Sequence, residues 1–312
     1  MIAVVGGRGA VGRVVAGRLA RDGADVIVVA PAPRADDPPG TRYADLLAPE
    51  TLRSAVDGAE VVVQAVAWPR GRGGRAVEAF PGRGTAHLVA AARAAGVRRV
   101  VYLGTVGAAE GAGAALLRAC RRAEQTVLES GLEAVCLRLA LAYGPRAAWL
   151  RTTLAAARAL PFLPVPHAPH ARQQPVWVGD VAAVVAQAVR RRAPQGVFEL
   201  GGPEVVSLDE LARAVLAAGG LRRALVHVPL AVARGLARLV ERVPGTPRPA
   251  TALALAARDA TARLAALRSA FDVQPTPLAR GLERACGGND DACARGSAPV
   301  SASPPPPDGP TG

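Results

Sequence analysis

The chain has 312 residues, half of them apolar and 3% aromatic, with a net charge of +13. At that length roughly 75% of the unfolded surface can be buried, so a full core is feasible and must be built from Ala, Val and Leu. No apolar run reaches the roughly 18 residues of a membrane span, and the 38 basic residues are all arginine, scattered without interleaved aromatics, which argues against a nucleic-acid face.

The chain opens on an apolar strand, Ile2 to Val5, with no basic leader of the secretory kind, so a cytoplasmic protein is expected. The stretch VVGGRGAVGR, Val4 to Arg13, then runs from that strand into a helix expected over 10–21. Its glycines can be read as Gly6, Gly9 and Gly12, or in the older spacing as Gly7, Gly9 and Gly12. A loop of this kind gives a tight turn, a close backbone approach to a pyrophosphate, and free amides at a helix N-terminus, where Ala10 and Val11 also lie. A second strand, Asp25 to Val29, follows. It ends at Ala30 with no acid to bind ribose hydroxyls, whereas Arg8 and Arg34 can meet a 2′-phosphate. The spacing therefore favours NADP over NAD.

Further strands are expected at Glu60 to Val66, with Ala65 at its cofactor-facing end, at Arg99 to Gly104 and at Glu133 to Leu141. Helices over 84–96 and 116–130 separate them. Short continuous apolar strands alternating with helices predict an α/β fold, a doubly wound parallel sheet of Rossmann type with ligands at the C-terminal strand ends. Residues 1–145 are read as this core and 146–286 as a smaller C-terminal α/β lobe integrated with it. In that lobe Asp180 is expected to cap a helix over 181–191, and Ser207 with Glu210 to form a capping box. Residues 230–243 carry Val232 and Leu236 on one face and Arg234 and Arg238 on another, a pattern suited to peripheral membrane contact or a protein partner. Residues 287–312 offer little to bury and are read as a disordered tail.

In their order along residues 1–286, these motifs resemble the extended and atypical short-chain dehydrogenase/reductase superfamily, which includes the NAD-dependent epimerases and dehydratases. They resemble in particular the branch of the NAD(P)-binding accessory subunit of respiratory complex I. The glycine loop carries the resemblance first. RYADLLAPETLRSAVDGAEVVVQAVA, GRGTAHLVAAARAAGVRRVVYLGTVGA, LRLALAYGP, RQQPVWVGDVA and FELGGPEVVSLDELA carry the rest. The resemblance implies that Asp45 and Leu46 lie beside the adenine and that Thr105 takes the place of the family's serine.

Catalytic members use a Tyr-x-x-x-Lys pair, the ammonium lowering the tyrosine pKa so that its hydroxyl can act as general acid or base. Counting back from Glu124 puts Leu116 at the tyrosine and Cys120 at the lysine, with Pro81 at the asparagine, and the chain contains no lysine. No catalytic residue is therefore assigned. Tyr102 and Tyr143 read as structural, His87 as a packed core histidine, and His167 with His170 as a pair lacking a third metal ligand. Cys120, Cys136, Cys286 and Cys293 lack zinc spacing, so no metal is expected. The reading that results is a nucleotide-bound accessory or redox-linked protein. The alternative is an NADPH-dependent oxidoreductase or epimerase-like enzyme with a rearranged site and an unknown small-molecule substrate.

Overall fold

The computed structural model describes residues 1–65, 79–108, 115–240 and 256–287, together with residue 253. Seven strands form one sheet: β1 (Ile2–Val5), β2 (Val26–Ala30), β3 (Arg42–Tyr43), β4 (Val61–Gln64), β5 (Arg99–Thr105), β6 (Glu133–Leu139) and, from further along the chain, β11 (Gly196–Leu200). Their spatial order is β11-β6-β5-β4-β1-β2-β3, with every pair parallel. The order reverses between β1 and β4, and in such a sheet the crevice at that reversal takes the ligand. This is the doubly wound sheet expected from the sequence.

The alternation of side chains along each strand divides the core in two. Val4, Val63, Val101, Val135 and Leu137 face α1 (Gly12–Arg21) and α6 (Val178–Ala188). Ala3, Val5, Val62, Val100, Tyr102 and Cys136 face α2 (Leu52–Val56), α3 (Thr85–Ala94) and α4 (Ala115–Leu128). With so few aromatics the helices lie close on Ala and Val. Two charged clusters also hold the edges. Arg99, 1% exposed, donates to the carbonyls of Ala188, Arg191 and Ala193 and so closes the C-terminal end of α6. Glu133 accepts from Arg98 and Arg99, and Glu60 from Arg98 and Arg191.

Burial would raise the Glu133 carboxyl, but Arg99 and Arg98 more than offset it, and the Arg98 hydrogen bond likewise lowers Glu60. Both therefore sit below the ordinary 4.5. Their contribution to stability is complete above that value and is lost as pH falls through the lowered folded-state values. In acid-titrated urea melts, wild type is expected to lose stability below pH 4.5 more steeply than Glu133→Gln, and identical acid limbs would refute the assignment.

The remaining elements are β7 (Ala142–Tyr143), α5 (Ala148–Ala159), β8 (Phe162–His167), β9 (Arg172–Gln173), β10 (Val176–Trp177), β12 (Val206–Ser207), α7 (Leu208–Ala218), β13 (Ala224–Pro229), α8 (Leu230–Val240), α9 (Ala265–Ala270) and α10 (Leu278–Gly287). Leu150, Leu154, Trp177, Leu211, Val215 and Leu282 join α5, β10, α7 and α10 into a further core, while Leu267 of α9 packs on the sheet. The capping box at α7 forms as expected, with Ser207 accepting from the Glu210 amide. Asp180 is not a cap: α6 starts at Val178, and the Asp180 carboxylate accepts from the amide and hydroxyl of Thr276, tying down the segment before α10. The difference arises because Val178 and Gly179 are helical although neither signals it. The tail read as disordered lies, apart from residue 287, outside the described residues. No helix among the described residues is long and apolar enough to cross a membrane.

Candidate functional site

The glycine loop leaves β1 at the point where the strand order reverses. Gly6 has φ 84°, a left-handed conformation that glycine adopts without strain, and its amide donates to Val29 on β2. Its carbonyl then accepts from the Gly9 amide at 2.8 Å, which folds the loop back over the strand. A Cβ on Gly12 would lie 2.3 Å from the Gly6 carbonyl oxygen, so α1 can start this close to β1 only with glycine there. A Cβ on Gly9 would lie 3.1 Å from the same oxygen and 4.0 Å from the carbonyl of Ala65. Gly7 is as close-packed, since a Cβ on it would lie 2.9 Å from Val28. Of the first amides of α1, that of Arg13 is given to the Gly9 carbonyl at 3.0 Å, and the helix start carries the positive end of its dipole. Ala65, held by its amide to the Val5 carbonyl, follows β4 on the other side of the crevice. This bare backbone floor fits a pyrophosphate, which needs amides and no side chains beneath it.

The second-strand end departs from the sequence reading. An acid is present, but it arrives from the loop. Asp37 pairs with Arg8 at 3.2 Å and accepts from the Arg34 amide at 2.8 Å and the Tyr43 hydroxyl at 3.2 Å. Its side chain is only 4% exposed. Arg13 pairs with Asp36 in the same loop. Arg34 itself is exposed. The acidic doublet at 36–37 was the available signal. It was missed because the expectation placed the acid at the strand end.

Asp45 and Leu46 follow β3 and part company. The Asp45 carboxylate accepts from the Leu47 amide, while Leu46 is buried in the core against Gly84. His87 is not the packed core residue expected. It is half-buried and its ring meets the Leu46 carbonyl at 2.9 Å, because α3 turns that face toward the β3 loop.

At the end of β5, Thr105 is half-buried, its hydroxyl 3.5 Å from the Val106 carbonyl. Leu116 and Cys120 lie nearby in a small apolar cluster with Ala108. Burial pushes the Cys120 thiol up to about 11, with Tyr102 as its hydrogen-bond neighbour, and pushes Cys136 up to about 12. Neither is a thiolate near neutrality. Folded protein at pH 8 should therefore leave both unmodified by iodoacetamide while urea exposes them; rapid native labelling of Cys120 would contradict its burial. Burial also raises the Tyr102 and Tyr143 hydroxyls, and Tyr143 is 1% exposed, as its structural reading requires. Arg258, absent from every sequence expectation, reaches this strand end and donates to the Val106 carbonyl at 2.7 Å. It lies too far along the chain for any local pattern to place it there.

Residues 6–192 match a family model described as NAD(P)H-binding. A 155-residue stretch is 29% identical to "NADH dehydrogenase (ubiquinone) 1 alpha subcomplex subunit 9, mitochondrial" of Arabidopsis thaliana, covering 48% of this chain but 39% of that protein. The chain thus spans about two fifths of that relative's length. A "3-diazoavenalumate denitrifying reductase" from Streptomyces sp is 32% identical over 221 residues, covering 62% of this chain and 73% of that protein. Among solved structures, UDP-glucose 4-epimerase of Thermus thermophilus in complex with NAD superposes with a TM-score of 0.69 at 21% identity, covering 95% of this chain and 99% of that one. At that identity the likeness is one of fold.

Proposed function

The chain belongs to the NAD(P)H-binding family, and from that premise we propose that it is a dinucleotide-dependent reductase working without a tyrosine acid. The observation that carries the reading is the bare glycine floor at the β1–β4 crevice, where a Cβ at Gly9 or Gly12 would intrude on the Gly6 carbonyl. In this reading Gly6, Gly9, Ala10, Val11, Gly12 and Ala65 take the pyrophosphate side, Arg8, Arg34 and Asp45 the adenosine side, and Thr105 the nicotinamide side. When bound, the dinucleotide supplies a hydride. The chain holds the acceptor against it, beside the apolar cluster of Leu116 and Cys120, whose thiol burial keeps protonated. The proton then comes from water, and proximity supplies most of the acceleration. The Streptomyces relative, a reductase, supports this class.

Arg8 and Arg34 favour NADP, while Asp37, already seated on Arg8, favours NAD. A 2′-phosphate has to replace the Asp37 carboxylate. Asp37→Asn should therefore tighten NADPH relative to NADH by roughly tenfold, the value of one charge-assisted contact; an unchanged ratio would place the 2′-position elsewhere. The reductase reading is tested by following loss of reduced nicotinamide over a panel of aldehyde, ketone, quinone and diazo acceptors. Turnover with a rate flat from neutral to alkaline pH is expected, and an alkaline limb abolished by Tyr102→Phe would restore an enzymic acid.

A second reading, a nucleotide-bound accessory protein, is favoured by one observation. Val232 and Leu236 on α8 are 53% and 58% exposed, near Val226 on β13, which leaves an apolar face toward solvent. Such a face suits a protein partner or a membrane surface. This reading predicts bound dinucleotide with no turnover.

A further inference from the structure

We propose that Arg258 is an anion-recognising residue on the substrate side of the crevice, so that the molecule reduced carries a carboxylate or a similar oxyanion. The inference rests on the reductase reading for its substrate, but its geometry is independent of the glycine loop.

Arg258 comes from the segment after α8 and crosses to the C-terminal end of β5, where its Nη2 donates to the Val106 carbonyl at 2.7 Å. The backbone there makes room for it. Gly107 has φ 73°, and a Cβ on it would lie 2.4 Å from Nη1 and 2.7 Å from Nη2. The guanidinium therefore sits against a strand end that only glycine leaves open. Its Nε is shielded from solvent and has no hydrogen-bond partner among the described residues.

Nor does any carboxylate pair with it among the described residues. Glu124, the buried acid of this region, is held by Arg121 and Arg138. Asp259, next in sequence, accepts from the Arg172 amide. Burial lowers the Arg258 pKa, and the nearby Asp259 carboxylate offsets this only in part. A residue needed only to latch the chain to one carbonyl could be neutral, and would avoid the cost of half-burying a charge. An arginine presents five donors in a rigid fork that matches a carboxylate in two-point contact. Here one donor meets Val106 and Nε is unspent, and Thr105, one residue before Val106, belongs to the nicotinamide side proposed above. The guanidinium thus lies at the end of β5 that this proposal gives to the hydride acceptor.

The test uses benzoate and benzamide, equal in shape and different in charge, titrated into protein loaded with NADH or NADPH and read by calorimetry. Wild type is expected to bind benzoate saturably by tens of millimolar and roughly tenfold or more tighter than benzamide. Arg258→Gln should erase the difference while leaving dinucleotide affinity unchanged, and Arg258→Lys should keep part of it. Equal binding of the two probes, no saturable benzoate binding, or a preference that survives Arg258→Gln would overturn the proposal. Should Arg258→Gln fail to fold, Arg258→Lys decides: unchanged benzoate affinity refutes the two-point contact. If wild type takes no dinucleotide, the reductase reading fails alone, and the benzoate comparison is made on the free protein with the same criteria.

Discussion

Gly12→Ala is expected to lower dinucleotide affinity by about 100-fold, on the scale of two amide–phosphate bonds at about 1.5 kcal/mol each. The added methyl would lie 2.3 Å from the Gly6 oxygen, 2.9 Å from its carbonyl carbon and 3.0 Å from Gly7 Cα. All three are backbone atoms in a turn already fixed by the left-handed Gly6, so no side chain can swing aside. The helix start has to retreat, and it takes the phosphate-facing amides with it. Overpacking of this kind also costs about 1–3 kcal/mol of stability. Gly17, on the same helix, is the control, because a Cβ there meets nothing within 4 Å. Gly17→Ala should stabilise by up to about 1 kcal/mol through helix propensity and leave binding intact. Paired dissociation constants and melting temperatures for the two variants separate loss of the loop from loss of the fold. Binding by Gly12→Ala within a few-fold of wild type would mean that the loop is not the phosphate site.

Glu124→Ala is the second large effect, and it falls on stability. Glu124 is 1% exposed on α4 and accepts from Arg138 at 2.6 and 2.7 Å, with Arg121 on its other flank. Glu199 on β11 also meets Arg138, at 3.5 Å, and accepts from the Arg263 amide, so the cluster joins a helix, two strands and the segment leading to α9. Removing one member of a buried pair leaves the other charge uncompensated, a loss of 3–5 kcal/mol where burial is complete. Arg138 is 21% exposed, so the lower end, about 3 kcal/mol, is expected, with a melting temperature roughly 6 °C lower or more. Replacing both partners is the decisive comparison. Glu124→Ala with Arg138→Met should recover part of the loss, because the charges then left without partners, Arg121 and Glu199, are 30% and 22% exposed and can be solvated. A double variant as unstable as the single one would show that packing, not charge, is at stake there.

The same residue shows what the sequence could and could not convey. Glu124 was legible as a family landmark from which to count, but its role as the buried acid that ties α4 to β6 depends on its contact with Arg138. The sheet was legible because parallel strands buried on both faces are written as unbroken Val runs, and the Gly6, Gly9, Gly12 spacing was legible because backbone approach tolerates nothing larger. What lay beyond reach was long-range. Asp37 reaches Arg8 across 29 residues and Arg258 reaches Val106 across 152, and neither leaves a periodic trace. Asp180 was misplaced for a related reason. An acid at a helix start is usually a cap, and only the fold shows that its buried oxygens accept from Thr276. The helix over 230–243 was read for its two faces, and the structure leaves Val232 and Leu236 exposed at its start.

The central claim is that the β1–β4 crevice holds a dinucleotide, and thermal unfolding with NADH, NAD, NADPH and NADP in turn tests it most directly. A ligand at 100 times its dissociation constant adds about 2.7 kcal/mol to the folded state. Saturable stabilisation by at least one of the four, lost in Gly12→Ala and kept in Gly17→Ala, is the expected result. Protein shown to be free of nucleotide that gains nothing from any of them would contradict the account and leave the glycine turn as a purely structural link between β1 and α1.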